Sequence, residues 1–203
     1  MLDRLRLRTF RFAALIAASA ALSACSSPPT TTDFAEMTFR HLPPIQLLVS
    51  EVKVESTAPH STEPPNIGHM FPTPPETALR NWARDRLEAR GASMRGATAT
   101  FTIVRAEATG RALSRDAGFT GLFKAELSDR YDANVDAILT IYDGNGERRA
   151  HVEAKAEHSA TVREDTTLVE RRKIMYDLTE KMMRDFNAQM ERNIRQYLSD
   201  YVQ

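Results

Sequence analysis

Four polar residues that alternate along one predicted strand are the first place where this chain could carry chemistry. His151, Glu153, Lys155 and Glu157 share one face of an extended segment, because successive side chains of a strand point to opposite faces. An imidazole beside carboxylates could transfer protons. The intervening residues are mainly alanine and valine, and no pocket-forming element is evident above this face. A charged, solvated face is therefore the favoured interpretation.

Other patterns that carry chemistry do not lead to a reaction. The segment Asp143-Gly144-Asn145-Gly146-Glu147 resembles a calcium loop, but its glycine and terminal glutamate are misplaced for an EF-hand, so we predict a turn. The sequence contains no HExxH, GxSxG, Walker or dinucleotide glycine motif. The five histidines lack metal-ligand spacing; they are His41, His60, His69, His151 and His158. We therefore predict a protein that is not an enzyme, with no catalytic residue, metal or cofactor.

The only cysteine follows a secretory leader. Arginines at 4, 6, 8 and 11 precede the apolar segment Phe12 to Ala21, which is too short to span a bilayer, and Leu22-Ser23-Ala24-Cys25 follows. This stretch resembles the signal peptides of bacterial lipoproteins. The resemblance implies that residues 1–24 are removed and that Cys25 receives acyl chains on its sulfur and its new amine. Three chains exceed the two signals that stable anchoring requires. The alternative is an ordinary secreted protein with one unrelated cysteine.

The residue after Cys25 bears on which membrane holds the protein. In the enterobacterial sorting pattern, Asp at this position retains lipoproteins in the inner membrane and Ser releases them outward. Ser26 therefore favours a lipid-anchored location on the periplasmic face of the outer membrane, with the inner membrane as the alternative.

Composition indicates one domain after a tether. The leader holds four of the 27 basic and one of the 27 acidic residues, which leaves 23 against 26, so nothing favours nucleic acid as a partner. All ten prolines lie at or before Pro75. We expect the lipidated Cys25 and a flexible tether over residues 25–43, and a single domain over residues 44–203.

The predicted element order is β-α-β-β-β-α. A strand is expected at Ile45 to Ser56, and a helix capped by Thr73 and Glu76 is expected to stop at Gly91. A strand at Ala97 to Ala108 and a long hairpin follow, and a long helix begins at the capping box of Thr167 and Glu170. We expect an α+β two-layer sandwich, with a mainly antiparallel four-stranded sheet and two helices on one face.

The hairpin pattern predicts its own register. If Asp143 faces Gly146, then Leu139 faces Ala150 and Ala137 faces Val152, so that every such pair is apolar and on one face. The long helix should cover that face with an apolar stripe: Leu168, Met175, Leu178, Met182, Phe186, Met190, Ile194, Tyr197, Leu198 and Tyr201. The sole tryptophan, Trp82, is expected in the core.

Two connections are candidates for partner contact. In the long loop from Thr57 to Thr73, Met70 and Phe71 would either plug the core or touch a partner. The connection from Gly110 to Asp129 carries cations and aromatics that suit a phosphorylated glycolipid or a barrel lumen. The predicted partner-binding residues are His69, Met70, Phe71, Arg111, Arg115, Phe119 and Phe123.

The second half of the domain resembles the LPS-assembly lipoprotein family. The similarity runs from Arg130-Tyr131 through the small-residue hairpin to the long helix that bears Glu170-Arg171. The layout is also similar to that of uncharacterised alphaproteobacterial lipoproteins. The resemblance implies an envelope protein partner, specifically an outer-membrane β-barrel that delivers lipopolysaccharide. The tether and the proline-rich loop depart from the family pattern.

Two other functions compete with this one. An accessory lipoprotein of a lipid-transport ABC system would show an open apolar groove between the long helix and the sheet. A periplasmic hydrolase would show a deep pocket with converging histidines and carboxylates.

Overall fold

A mainly antiparallel four-stranded sheet carries the two α-helices of the described residues. The computed structural model describes residues 34–91, 96–113 and 127–203. The elements in chain order are β1 Ile45–Leu47, β2 Glu51–Ser56, α1 Pro75–Arg86, β3 Leu87–Ala89, β4 Thr98–Ala112, β5 Leu127–Tyr142, β6 Arg148–Arg163 and α2 Leu168–Tyr197.

The strand order of the main sheet is β2-β4-β5-β6. Only the β2–β4 pairing is parallel. Trp82 of α1 and Phe186 of α2 both lie against Phe101 of β4, with ring centroids 5.4 Å and 6.4 Å away, so the two helices cover the same face. The predicted α+β class, with a long C-terminal helix, is confirmed.

The first predicted strand is two strands in two sheets. β1 pairs in parallel with β3, whereas β2 pairs with β4. Between them, the N–H of Leu48 donates to Tyr201 O and the N–H of Ser50 donates to Ala97 O. The chain thus changes partners at residues 48–50, and these partners are distant in sequence.

Helix α1 differs from its prediction at both ends. It begins at Pro75 after Pro74, with no side-chain cap, so the predicted capping box of Thr73 and Glu76 is wrong. The helix stops at Arg86 rather than near Gly91, because Leu87–Ala89 enter a strand against β1. Pairing with a distant strand therefore overrides the local glycine signal.

The hairpin register is displaced by two residues from the prediction. Leu139 faces Val152 and Ala137 faces Ala154. The turn is longer than expected, since the N–H of Asp143 donates to Glu147 O, and a bulge lies between Ile141 and Tyr142. A shift by an even number keeps every side chain on its face. The predicted apolar face is therefore correct even though its pairs are not.

Helix α2 begins with the predicted capping box, in which Thr167 and Glu170 bond each other's backbone N–H. Its buried stripe includes Met182, Phe186 and Met190, which are fully buried against the sheet. The predicted stripe is wrong at Leu168 and Tyr197, which are exposed, whereas its last members Leu198 and Tyr201 pack against the core. Neither helix of the described ranges has the length and apolar character needed to cross a membrane.

The segment of residues 34–43, expected to belong to the tether, packs on the domain. Met37 and Phe39 are buried. Asn81 Nδ2 donates to Met37 O at 3.0 Å, and the Phe39 N–H donates to Asp85 Oδ2 at 2.9 Å. Burial acts to raise the pKa of Asp85, but the Phe39 N–H and the Arg84 guanidinium outweigh it and lower that pKa. These backbone contacts fix the segment on α1.

A buried arginine joins the two helices. Arg86 of α1 is almost fully buried and donates to Glu191 Oε2 of α2 at 2.6 Å. It also bonds the carbonyl of Pro43 and the amide oxygen of Asn187, which accepts from Trp82 Nε1 as well. Burial lowers the pKa of Arg86, and the charge of Glu191 opposes that effect.

Candidate partner-binding site

The loop of residues 57–73 is fixed along β4 beyond the end of β2. The N–H of Ile67 donates to Ala108 O at 2.8 Å, and the N–H of Gly110 donates to Pro65 O at 2.9 Å. Asn66 and Thr109 form an isolated antiparallel bridge. The loop therefore satisfies backbone groups of β4 that β2 leaves unpaired, and its position is fixed by main-chain bonds.

A cleft of about 400 Å³ lies between this loop, the start of α1 and the middle of β4. Its lining includes polar side chains from all three elements: His60, Asn66, His69, Glu76, Arg80 and Glu107. Arg80 Nη2 lies 2.7 Å from Glu76 Oε1, one helical turn away, and both side chains are partly exposed. The cleft thus offers imidazoles, a guanidinium and carboxylates, which suit hydrogen bonding to a polar partner.

Two of the three candidate loop residues are accessible and one is not. His69 is exposed in the cleft wall, and Met70 is 54% exposed beside it. Phe71 is only 4% exposed and belongs to the core. The prediction of Phe71 as a partner-binding residue is therefore corrected in favour of the core alternative, whereas Met70 presents an apolar side chain to solvent.

Arg111 lies next to the loop. It follows Gly110, whose N–H bonds Pro65, and its exposed guanidinium Nε is 3.9 Å from Asp132 Oδ2. Arg111 therefore lies next to the Pro65 end of the paired loop segment, whereas His69 lies with Ala106 to Ala108. The other predicted residues lie outside the described ranges; they are Cys25, Arg115, Phe119 and Phe123.

The polar face of the hairpin forms an ion-pair cluster, in line with the solvated-face interpretation. Lys155 Nζ lies 2.6 Å from Glu153 Oε1 and 3.2 Å from Asp136 Oδ2, and the side chains of Lys155 and Glu153 are exposed. Burial raises the pKa of Asp136, whereas the Lys155 ammonium lowers that of Glu153. Asp136 Oδ1 is buried without a hydrogen-bond partner among the described atoms. Strand alternation could not identify this burial, because Asp136 alternates as an outward polar residue.

The side-chain carboxylate of Asp143 stabilises the turn of the hairpin. Asp143 Oδ1 accepts from the N–H of Asn145 at 2.9 Å and from that of Glu147 at 3.0 Å, which is how aspartate stabilises turns. Within residues 34–91, 96–113 and 127–203, no three His, Cys, Asp or Glu side chains are grouped in a way that could hold a metal ion.

The space between α2 and the sheet is filled. Met182, Phe186 and Met190 of α2 and Ala137, Leu139 and Ala154 of the sheet are all fully buried in one core cluster. The alanines of the hairpin let the helix approach closely. The open apolar groove that a lipid-carrying accessory protein would need is therefore occupied by these side chains.

No protein-family model and no curated protein matches the chain. Among solved structures, the chain is similar to rare lipoprotein B from Shewanella oneidensis, with 8% identity, a TM-score of 0.34, and coverage of 70% of this chain and 92% of that one. It is also similar to a minor lipoprotein from Acinetobacter baumannii, with 15% identity, a TM-score of 0.31, and coverage of 70% and 93%. Both are lipoproteins by name. At these TM-scores the likeness carries no argument about this chain's site.

Proposed function

We propose that this chain is a lipid-anchored, non-enzymatic protein of the bacterial envelope that binds a protein partner. The leader and Cys25 supply the anchor. The observation that carries partner binding is the fixed loop of residues 57–73, which presents His69 in the wall of a polar cleft and the exposed Met70 next to it in the chain. A surface fixed before binding loses little conformational freedom on association.

The specific form of the proposal places the protein on the periplasmic face of the outer membrane, where it takes part in outer-membrane or lipopolysaccharide assembly. Its partner is then an outer-membrane barrel. The exposed Met70 and the Arg80 of the cleft support a protein partner, because methionine and arginine are enriched at interface cores. The filled space between α2 and the sheet favours a protein partner over a lipid held in that groove.

The test is affinity purification from detergent-solubilised membranes, with the native leader and Cys25 retained, followed by mass spectrometry of proteins and lipids. Recovery of a lipopolysaccharide-exporting barrel supports the proposal. Recovery of ABC-transporter components, or of phospholipid without any barrel, contradicts it and favours the transport-accessory alternative.

A variant pair locates the contact within the same experiment. The double substitution His69→Ala with Met70→Ser is expected to lower barrel recovery about tenfold, since central contact residues contribute about 1 to 2 kcal/mol. The matched control is Tyr197→Ser, which also removes an exposed apolar side chain but lies at the far end of α2. Equal losses in both variants would show that the cleft is not the contact.

A further inference from the structure

Two exposed apolar side chains project from the first turn of α2. Leu168 is 80% exposed and Val169 is 51% exposed, the first being the most exposed of the large hydrophobic residues in the described ranges. They lie on an ordered turn, because the capping box of Thr167 and Glu170 closes the helix start. Arg171 holds the turn to the sheet, with Nη1 2.5 Å from Asp129 Oδ2 and 3.1 Å from Tyr131 Oη. A fixed helix turn therefore holds apolar surface in water.

The N-terminal segment meets α2 close to this turn. The ring of Phe34 stacks on Tyr176 at 5.2 Å between centroids, and the Arg172 guanidinium lies 5.4 Å from the Phe34 ring centroid. Leu168, Arg172 and Tyr176 follow one another at intervals of four residues, so they share one ridge of the helix. Phe34 therefore lies within about two helical turns of Leu168.

Covalent geometry limits the distance between Phe34, where it contacts α2, and the acyl chains on Cys25. Phe34 is the ninth residue after Cys25 in the sequence. Fully extended, that length of chain spans at most about 32 Å. At 1.5 Å per residue along α2, Tyr176 lies about 12 Å from Leu168 and about 32 Å from Tyr197, so the Leu168 end is the nearer to this attachment and the Tyr197 end lies at the limit of the tether's length.

From the exposed Leu168 and Val169 and from the nearby attachment of Phe34, we infer that the first turn of α2 inserts into the headgroup region of the leaflet that holds the acyl chains of Cys25. The lipid surface is the occupant because the chain from Cys25 meets the domain at Phe34, which is nearer to this end of α2 than to the other. Arg172, which lies over the Phe34 ring, and Lys173, which pairs with Asp177, are exposed on the following turn, where cationic side chains can contact lipid phosphate groups. This inference rests on the lipidation of Cys25 in the proposed function. It orients the domain with the start of α2 toward the membrane.

The test labels a single introduced cysteine, which is possible because Cys25 is the only natural one. Because Cys25 is the only cysteine and would carry lipid, Leu168→Cys gives the full-length lipidated protein a single free thiol for an environment-sensitive fluorophore. The matched control is Tyr197→Cys, an exposed apolar position at the other end of α2. Both proteins are placed in vesicles of phosphatidylethanolamine and phosphatidylglycerol that contain a headgroup-level quenching lipid.

The label at position 168 is expected to shift to shorter emission wavelength and to be quenched several-fold more than the label at position 197. The difference in quenching between the two positions should persist in phosphatidylcholine vesicles if the apolar side chains supply most of the binding. It should fall in those vesicles if the charges of Arg172 and Lys173 supply most of it. Equal quenching at the two positions, or none at either, overturns the inference. Intact-mass analysis of the same samples shows whether Cys25 is acylated, so a failure of anchoring is distinguished from a failure of orientation.

Discussion

At the scale of the residue, sequence neighbours have opposite roles in the candidate site. Met70 ends a short 3-10 turn and faces solvent, whereas Phe71 lies in the core. The sequence left both alternatives open for the pair, because two apolar residues in a polar loop carry no periodicity that separates inside from outside. The hydrogen bonds from the Ile67 N–H to Ala108 O and from the Gly110 N–H to Pro65 O fix the loop on β4, and the fixed loop decides which side chain turns inward.

Asp136 gives a pH-dependent prediction. Burial raises its pKa, and the Glu153 carboxylate adds to that effect. The folded protein therefore binds this proton at higher pH than the unfolded chain, so the stabilisation is fully present below the unfolded pKa and is lost as the pH rises through the folded pKa.

Asp136→Asn removes that dependence, because an amide stays neutral. Relative to the unsubstituted protein, the variant should be more stable at neutral pH, and the difference should shrink near about pH 4, where the aspartate is increasingly protonated. Urea unfolding at the two pH values measures the difference. A variant that is less stable at neutral pH would show that the Lys155 ion pair outweighs the burial of the charge.

At the scale of the element, an ion pair between Arg86 of α1 and Glu191 of α2 joins the two helices. The arginine is buried because the helices pack together. Glu191→Gln leaves the buried Arg86 without its carboxylate, and we expect a loss of about 2 kcal/mol in the free energy of unfolding, somewhat less than for a fully buried pair because Glu191 is partly exposed. Denaturant unfolding provides the measurement.

The control is a glutamate on the same helix with a similar local pattern. Glu180 pairs with Arg184 four residues later, as Glu191 pairs with Arg195, but the Glu180 pair is exposed. Glu180→Gln should change the free energy of unfolding by less than about 0.5 kcal/mol. Similar effects of the two substitutions would mean that Arg86 does not depend on Glu191.

At the scale of the whole molecule, the folded body begins earlier than composition indicated. A chain that starts at residue 44 loses the buried side chains of Met37 and Phe39, which are worth about 1.5 to 3 kcal/mol each. It should therefore be about 3 to 6 kcal/mol less stable than a chain that starts at residue 34. Chemical denaturation of both purified proteins checks this, and equal midpoints would refute the packing of that segment.

The sequence by itself determined those features that local geometry controls. The alternation of the hairpin set its apolar face, and the capping box of Thr167 and Glu170 set the start of α2, because side-chain period and capping depend on residues a few positions apart. The signal pattern that ends at Cys25 is likewise local, and the lipidation it indicates stays a prediction.

Only the tertiary structure decided the features that depend on residues far apart in the chain. The division of the first strand at residues 48–50 follows from bonds to Ala97 and Tyr201, and the place of the long loop follows from its bonds to Ala108 and Gly110. The exposure of Leu168, whose spacing matches the buried stripe, is likewise decided by packing and not by its place in the sequence pattern. Periodicity describes one element at a time, whereas burial depends on which other element lies opposite, and that is settled by packing across the whole chain.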